Sequence, residues 1–202
     1  TWRHAGLQRA LDLAVPVANF ILGDLHRTAA GDAICFSYTP LDRTAVHNAN
    51  LLGASLLARL YRITGEERLR ESALASLAYS MRCQREDGSW HYAETDYQRW
   101  IDSFHTGFNL QCIRYFLREG LAAEAATGYE RGVRFYAENF FLPNGTPKYY
   151  HDRVYPIDIH SPTQAIVFFS DQGMEHVELT EKVLDWMMEN MWDPHGFFYF
   201  QR

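Results

Sequence analysis

Three landmarks recur along this chain with one period, and that period restricts the fold more than composition does. A histidine stands near the start of three apolar stretches: His47 in "VHNANLLGASLL", His105 in "FHTGFNLQCI" and His160 in "IHSPTQAIVFF", 58 and 55 residues apart. A glycine follows each stretch, at Gly65, Gly120 and Gly173, 55 and 53 residues apart. A second glycine with aromatic residues behind it closes each unit: Gly88 with Trp90 and Tyr92, Gly145 with Tyr149 and Tyr150, Gly196 with Phe197 and Tyr199. Self-similarity at this period marks a unit that cannot bury its apolar face alone and stacks on its neighbours.

Within each unit the apolar pattern is helical. Leu69, Ala73, Leu77 and Met81 share one face, as do Tyr129, Val133, Tyr136 and Phe140, and then Val183, Met187 and Met191. The first helix of each pair is apolar nearly all round, notably Leu51 to Leu60 and Ala165 to Phe169, which suits deeper burial. No strand run of useful length is visible. The predicted class is all-α, serial antiparallel helix hairpins: a half-repeat over 1–40, with a helix from about Leu7 to Leu25 that Pro16 should kink, then repeats over about 41–98, 99–155 and 156–202. Links within a pair are short ("RITGEE", "REGLAA", "SDQGME"). Those between pairs are long, about twenty residues from Gln84 to Ser103 and similar from Asn139 to Ile159. Long ordered loops are usually functional. If the first helices line a central bore, these loops gather at the one mouth where those helices begin.

The net charge of −6, with no Lys/Arg cluster, argues against nucleic acid. No apolar run approaches the ~20 residues of a membrane span, and no signal peptide is visible. Cys35, Cys83 and Cys112 are an odd set without CxxC spacing, so reduced thiols in a cytoplasmic protein are expected, with neither disulfide nor zinc site. No Gly-rich phosphate loop, HExxH, nucleophile elbow or EF-hand is present, so neither cofactor nor metal is expected. The aromatic share, 15%, is high and suits a cavity wall or a sugar-binding face as well as a core.

Hairpins in series resemble the α/α toroids, rings of inner and outer helix pairs. Around Gln84, Gly88 and Trp90, "CQREDGSW" resembles the QW motif of the squalene-cyclase and prenyltransferase superfamily. The later turns lack the Gln and replace Trp with Tyr or Phe. The Asp-rich cyclase acid motif is absent, so cyclisation chemistry is not implied. Over nearly the whole chain, "CFSYTPLD", "HNANLLGASLLARL", "DGSWHY", "WIDSFHTGFNLQCI" and "YPIDIHSPTQAI" resemble toroid proteins of polysaccharide-biosynthesis gene clusters. Those are related in shape to six-hairpin glycosidases, uronate epimerases and N-acylglucosamine 2-epimerases. Such rings generally have six pairs against three and a half here, which implies a missing N-terminal half or an oligomer partner that completes the toroid. The half-pair starting at Thr1 should be poorly capped. The resemblance implies a fold and a substrate class, a sugar or glycan, but no matched catalytic motif.

Candidate chemistry gathers at the expected mouth. His47, His105 and His160 each have a carboxylate upstream, Asp42, Asp102 and Asp158. A histidine pair facing one cavity could remove and return a proton on a sugar carbon. The same placement also serves helix capping by Asp102 or Ser103 and packing between repeats, which repetition in every unit favours. His105 and Asp102, on the central inner helix, are the leading catalytic pair, with His160, Asp158 and His47 as partners. The carboxylates, together with Glu94 and Asp96, could instead perform glycoside hydrolysis. Tyr38, Trp90, Tyr92, Tyr149, Tyr150 and Tyr155 offer stacking faces, although Trp90 also suits a staple between helices. Asp42, Arg43 and Asn48 (with Asn50) offer polar contacts beside His47, and Arg99, Lys148 and Arg153 could hold an anionic sugar. The expected function is therefore hydrolysis, elimination or epimerisation of a sugar or glycan. The alternative is a non-catalytic toroid that binds a glycan or pathway protein, or less readily an isoprenoid-type ligand.

Overall fold

The structure is a computed structural model that describes residue 6 and residues 8–202. The expected helix start at Leu7 and the chain end at Thr1 lie outside the described residues. Helix α1 (Gln8–Gly23) passes through Pro16 and is followed by a hairpin of β1 (Arg27–Ala30) and β2 (Ala33–Phe36). Three helix pairs then follow: α2 (His47–Thr64) with α3 (Glu67–Arg82), α4 (Ser103–Arg118) with α5 (Ala126–Asn139), and α6 (His160–Ser170) with α7 (Val177–Met191). A short hairpin of β3 (Trp192–Asp193) and β4 (Phe197–Phe198) closes the set. The fold is an all-α toroid arc.

Helices α2, α4 and α6 pack on one another in series, and α3, α5 and α7 each lean on their own partner. This follows from the burial pattern. On α2 the buried positions Leu51, Ala54, Leu57, Ala58 and Leu60 fall on more than one face, whereas α3 buries chiefly the stripe Leu69, Ala73, Ser76, Leu77 and Ser80, with Tyr79 turned toward β2 and its neighbours. Each fully buried Leu contributes roughly 1.5–3 kcal/mol. The inner helices are not buried all round as expected: Leu52 and Val167 are about half exposed. Gly65 ends α2 in the left-handed region (φ 73°), its N–H donating to Tyr61 O, a cap that suits glycine.

The strand expectation is corrected. The chain reverses at Gly31 (φ 65°), which lets Arg27–Ala30 pair with Ala33–Phe36, and β2 buries Ala33, Cys35 and Phe36 against α3. Arg82 of α3 holds the turn, donating to Ala30 O (3.1 Å) and Asp32 (2.6 Å).

The aromatic turns return to the start of their own inner helix. His47 N–H donates to Tyr92 O, Ser103 N–H to Tyr149 O, and Ile159 N–H to Phe200 O, with bridges Val46–Ala93, Asp102–Tyr150 and Asp158–Gln201 beside them. The three connections therefore meet the inner helices at the same end, where α2, α4 and α6 begin. The turn glycines knit each pair to the next. A Cβ on Gly88 would overlap the Arg131 carbonyl of α5, and one on Gly145 the Lys182 carbonyl of α7, whereas at Gly196 nothing lies within 4 Å.

Candidate functional site

Asp102 precedes α4 and does two things at once. Its Oδ1 accepts the His105 backbone N–H (3.0 Å), which caps the helix, and its Oδ2 lies 2.7 Å from His105 Nδ1. Trp100 Nε1–H donates to the same Oδ2 at 3.0 Å. The Asp102 side chain is fully buried, while His105 keeps 21% of its side chain exposed. With Nδ1 held by a carboxylate, the ring carries its Nδ1 proton toward Asp102 and offers a lone pair at Nε2. Among the described residues Nε2 has no hydrogen-bond partner.

Asp158 repeats the arrangement at α6. Its Oδ1 accepts the His160 backbone N–H (2.8 Å) and approaches His160 Nδ1 at 2.5 Å, with Asp158 nearly buried and His160 more than half exposed. Phe104 lies between the two imidazoles, its centroid 4.2 Å from that of His105 and 5.4 Å from that of His160. Tyr92 also meets His105, at 4.7 Å, and stacks on Trp100 at 4.7 Å. Tyr149 contacts Phe104 and Tyr150, and Phe200 contacts His160. The mouth is thus an aromatic belt that carries two carboxylate-oriented histidines.

Tyr92 and Tyr149 hold their protons tightly. Burial, with Asp102 next, pushes Tyr149 up to about 12. Burial also raises Tyr92, assisted by Tyr38, Asp102 and Asp42, which places those groups together. Near neutral pH both hydroxyls are therefore available as donors to a ligand oxygen.

Several sequence expectations are corrected. His47 is not at the mouth surface: it is fully buried, with Nε2 2.8 Å from Glu94 Oε1 and Nδ1 3.1 Å from Ser80 Oγ. Its carboxylate partner is Glu94 rather than Asp42. Asp42 accepts instead from the Thr39 hydroxyl and from the Thr39 and Thr44 backbone N–H groups, which form a local turn, and those bonds, the Thr39 hydroxyl foremost, hold its carboxyl below the usual range. Trp90 offers no face to a ligand, because it is 2% exposed, packs against Gly132 and donates Nε1–H to Ser80 O at 2.8 Å. Asn50 is occupied with Phe36, Ser76 and Ser80. Asn48 fits a site better, since its Oδ1 is buried with no partner among the described residues. Tyr38 and Tyr155 are exposed, as is Arg43. Arg99 is paired with Asp96, and Arg153 with Asp152 and the Tyr150 ring, so these cations are already engaged.

Sequence reading missed Trp100, Phe104 and Phe200, all of which touch the dyads. Trp100 had a signal, a tryptophan two residues before the capping aspartate. It also missed Asp193 and His195, 2.7 Å apart through Nδ1, although they share the Asp-x-His spacing of Asp158 and His160. A cavity of about 610 Å³ lies elsewhere, where α2 and α4 end, lined by Leu11, Arg59, Arg114, Arg118 and Asp171. Its arginines 114 and 118 pair with Asp171. The mouth carries the histidine chemistry and the cavity does not.

No family model matches the chain and no curated protein matches it. Solved structures do match its shape. Cellobiose 2-epimerase from Bacillus thermoamylovorans aligns with a TM-score of 0.75 at 14% identity, over 99% of this chain and 60% of that one. D-mannose isomerase aligns at 0.72 and 9% identity, over 98% and 58%. The GH76 alpha-mannanase of Bacteroides thetaiotaomicron aligns at 0.72 and 12% identity, over 98% and 56%. These are α/α toroids, and the chain spans about 60% of the length of the structures it matches. Identity this low establishes a shared fold.

Proposed function

We propose that this arc belongs to a carbohydrate-active toroid that binds a sugar at the mouth and moves a proton on it. The observation that carries this reading is the Asp102–His105 dyad, whose Nδ1 is fixed at 2.7 Å and whose Nε2 is open beside Tyr92 and Phe104. A neutral imidazole oriented in this way can take a proton from the sugar carbon next to a carbonyl, and a second imidazole can return one. His160, whose ring lies 5.4 Å from that of Phe104, would take that second role. Tyr92, Trp100 and Tyr149 supply faces on which a sugar ring can stack.

Proton transfer, in epimerisation, isomerisation or elimination, suits this mouth better than hydrolysis by two carboxylates. Asp102 and Asp158 are buried and each is committed to a histidine ring and to that histidine's backbone N–H at a helix start. A glycosidase needs two carboxyl groups that flank the bond being cut. The matched epimerase and isomerase folds support the substrate class. The test is incubation of candidate aldoses and disaccharides in deuterium oxide, followed by NMR. Exchange at the carbon next to the carbonyl, lost in His105→Gln, supports the proposal, whereas unchanged exchange in that variant overturns it.

A second reading is favoured by a different observation. The His195–Asp193 pair repeats the arrangement of the dyads, and His47–Glu94 pairs a third inner-helix histidine with a carboxylate. Recurrence in each unit suits capping and packing within a glycan-binding, non-catalytic toroid. Sugar binding without exchange or turnover in the wild-type protein selects this reading.

A further inference from the structure

We propose that His47, Cys83 and Glu94 form a binding site for a divalent transition-metal ion of the zinc type, distinct from the Asp102–His105 mouth. The three donors come from separate elements: the first residue of α2, the residue that ends α3, and the long connection after it. In sequence they stand 36 and 11 residues apart, so no compact motif announces them. In space His47 nitrogen, Cys83 Sγ and a Glu94 oxygen all lie within 4.8 Å of one another, and Nε2 and Oε1 are already 2.8 Å apart. Metal–donor distances of about 2.0–2.3 Å give tetrahedral edges of roughly 3.5 Å. Closing the set to those edges takes small side-chain adjustments, for which Glu94, 34% exposed, has room.

The donor chemistry selects the ion. One imidazole, one thiolate and one carboxylate suit zinc and its neighbours rather than magnesium or calcium, which take oxygen ligands. Charge balances as well: two anionic ligands and a neutral imidazole cancel a dication, which lowers the cost of a site beside the fully buried His47. The surroundings support the ring. Ser80 Oγ lies 3.1 Å from Nδ1 and is itself fixed by Asn50 Nδ2 at 3.0 Å. With Glu94 accepting from Nε2–H, the Ser80 hydroxyl donates to Nδ1. On metal binding the ring proton shifts to Nδ1 and the hydroxyl oxygen accepts it, as metal-bound histidines require of a neighbour. Cys83 releases its thiol proton to solvent, so one proton leaves per ion bound. Three protein ligands leave a fourth position for water, reached past Glu94. Cys35 of β2 is adjacent but points its thiol at the Phe36 carbonyl, 3.5 Å away.

The test is titration of the chelator-treated, folded chain with cobalt(II), followed by displacement with zinc(II). The expected result is one ion per chain, a near-ultraviolet thiolate-to-cobalt charge-transfer band, and proton release in weak buffer. Cys83→Ser should abolish the band, and Glu94→Gln should weaken binding at least tenfold, with circular dichroism unchanged in both. Cys35→Ser should retain the band. If the variants fail to fold, zinc-edge X-ray absorption on the wild type decides, and one sulfur with one imidazole is expected. Absence of stoichiometric binding, or a band that survives Cys83→Ser, overturns the proposal.

Discussion

His105 Nδ1 lies 2.7 Å from Asp102 Oδ2, while Oδ1 of the same carboxylate accepts the His105 backbone N–H at 3.0 Å. One buried side chain thus sets both the start of α4 and the tautomer of the histidine on it. The two roles separate by substitution. Asn at position 102 still caps well, but its amide can present N–H to Nδ1 and shift the ring proton to Nε2. Asp102→Asn should therefore keep the cap but leave the Trp100 Nε1–H without its acceptor, a cost of roughly 1–3 kcal/mol, and cut turnover by about 10²–10⁴-fold with little change in KM. Asp102→Ala should lose the cap as well, at about 1–2 kcal/mol. Thermal denaturation alongside steady-state kinetics separates the two. Full activity in Asp102→Asn assigns the pair to capping alone.

Trp90 and Tyr92 are two residues apart and should behave in opposite ways. Trp90→Phe leaves Ser80 O without its buried donor and opens space against Gly132, a loss of roughly 1–3 kcal/mol, with no effect on sugar affinity. Tyr92→Ala removes a partly exposed ring that stacks on Trp100 and touches His105. It should weaken sugar binding at least several-fold while costing less stability than Trp90→Phe. Denaturant unfolding and calorimetric sugar titration on both variants check the pair, and equal loss of affinity in both contradicts the assignment.

The helical architecture was legible because its signals are local and periodic. The stripe Leu69, Ala73 and Leu77 and the glycines that end helices or turns can each be read within one unit, and the mouth follows from where the long connections fall. Asp102 with His105 was legible for the same reason, three residues apart around a helix start. What pairs between elements far apart in the chain was not. His47 looked like a sibling of His105, but its partner Glu94 lies 47 residues away and its second contact, Ser80, on another helix. Trp90 carried the signature of a packing staple first and of a sugar platform second. Only burial distinguishes them. The β1–β2 hairpin escaped because its four-residue strands show no alternation: β1 is exposed throughout and β2 is buried almost throughout.

The turn glycines provide a test of how the repeats join. Gly88 (φ 93°) and Gly145 (φ 85°) each sit against the backbone of the next outer helix, whereas Gly196 (φ 96°) has open space. All three pay the same conformational penalty for a side chain, about 1–2 kcal/mol. At Gly88 and Gly145 an added methyl also collides with a carbonyl that cannot move without shifting α5 or α7. Gly88→Ala and Gly145→Ala should therefore destabilise the chain clearly more than Gly196→Ala, by roughly 2 kcal/mol or more. Equal losses at all three, measured by urea unfolding, would refute the packing role.

Alkaline pH should expose the state of the buried Cys112 thiol. Burial pushes it from an ordinary 9.0 up to about 11. The folded chain thus holds this proton more tightly than the unfolded chain does. Its contribution is fully present below pH about 9 and fades as pH rises through about 11, because the unfolded chain ionises first. A shift of this size corresponds to at most roughly 2–3 kcal/mol. Tyr149 and Cys35, each pushed up to about 12, act in the same direction, Tyr149 from its ordinary 10.0 and Cys35 from its ordinary 9.0. In Cys112→Ala the melting temperature should start lower near pH 8, because a small buried volume is lost, and then fall less steeply between pH about 9 and 11 than in the wild type. Melting curves collected across that window in both proteins check it. Parallel slopes would mean that the thiol is as free to ionise in the folded chain as in the unfolded one.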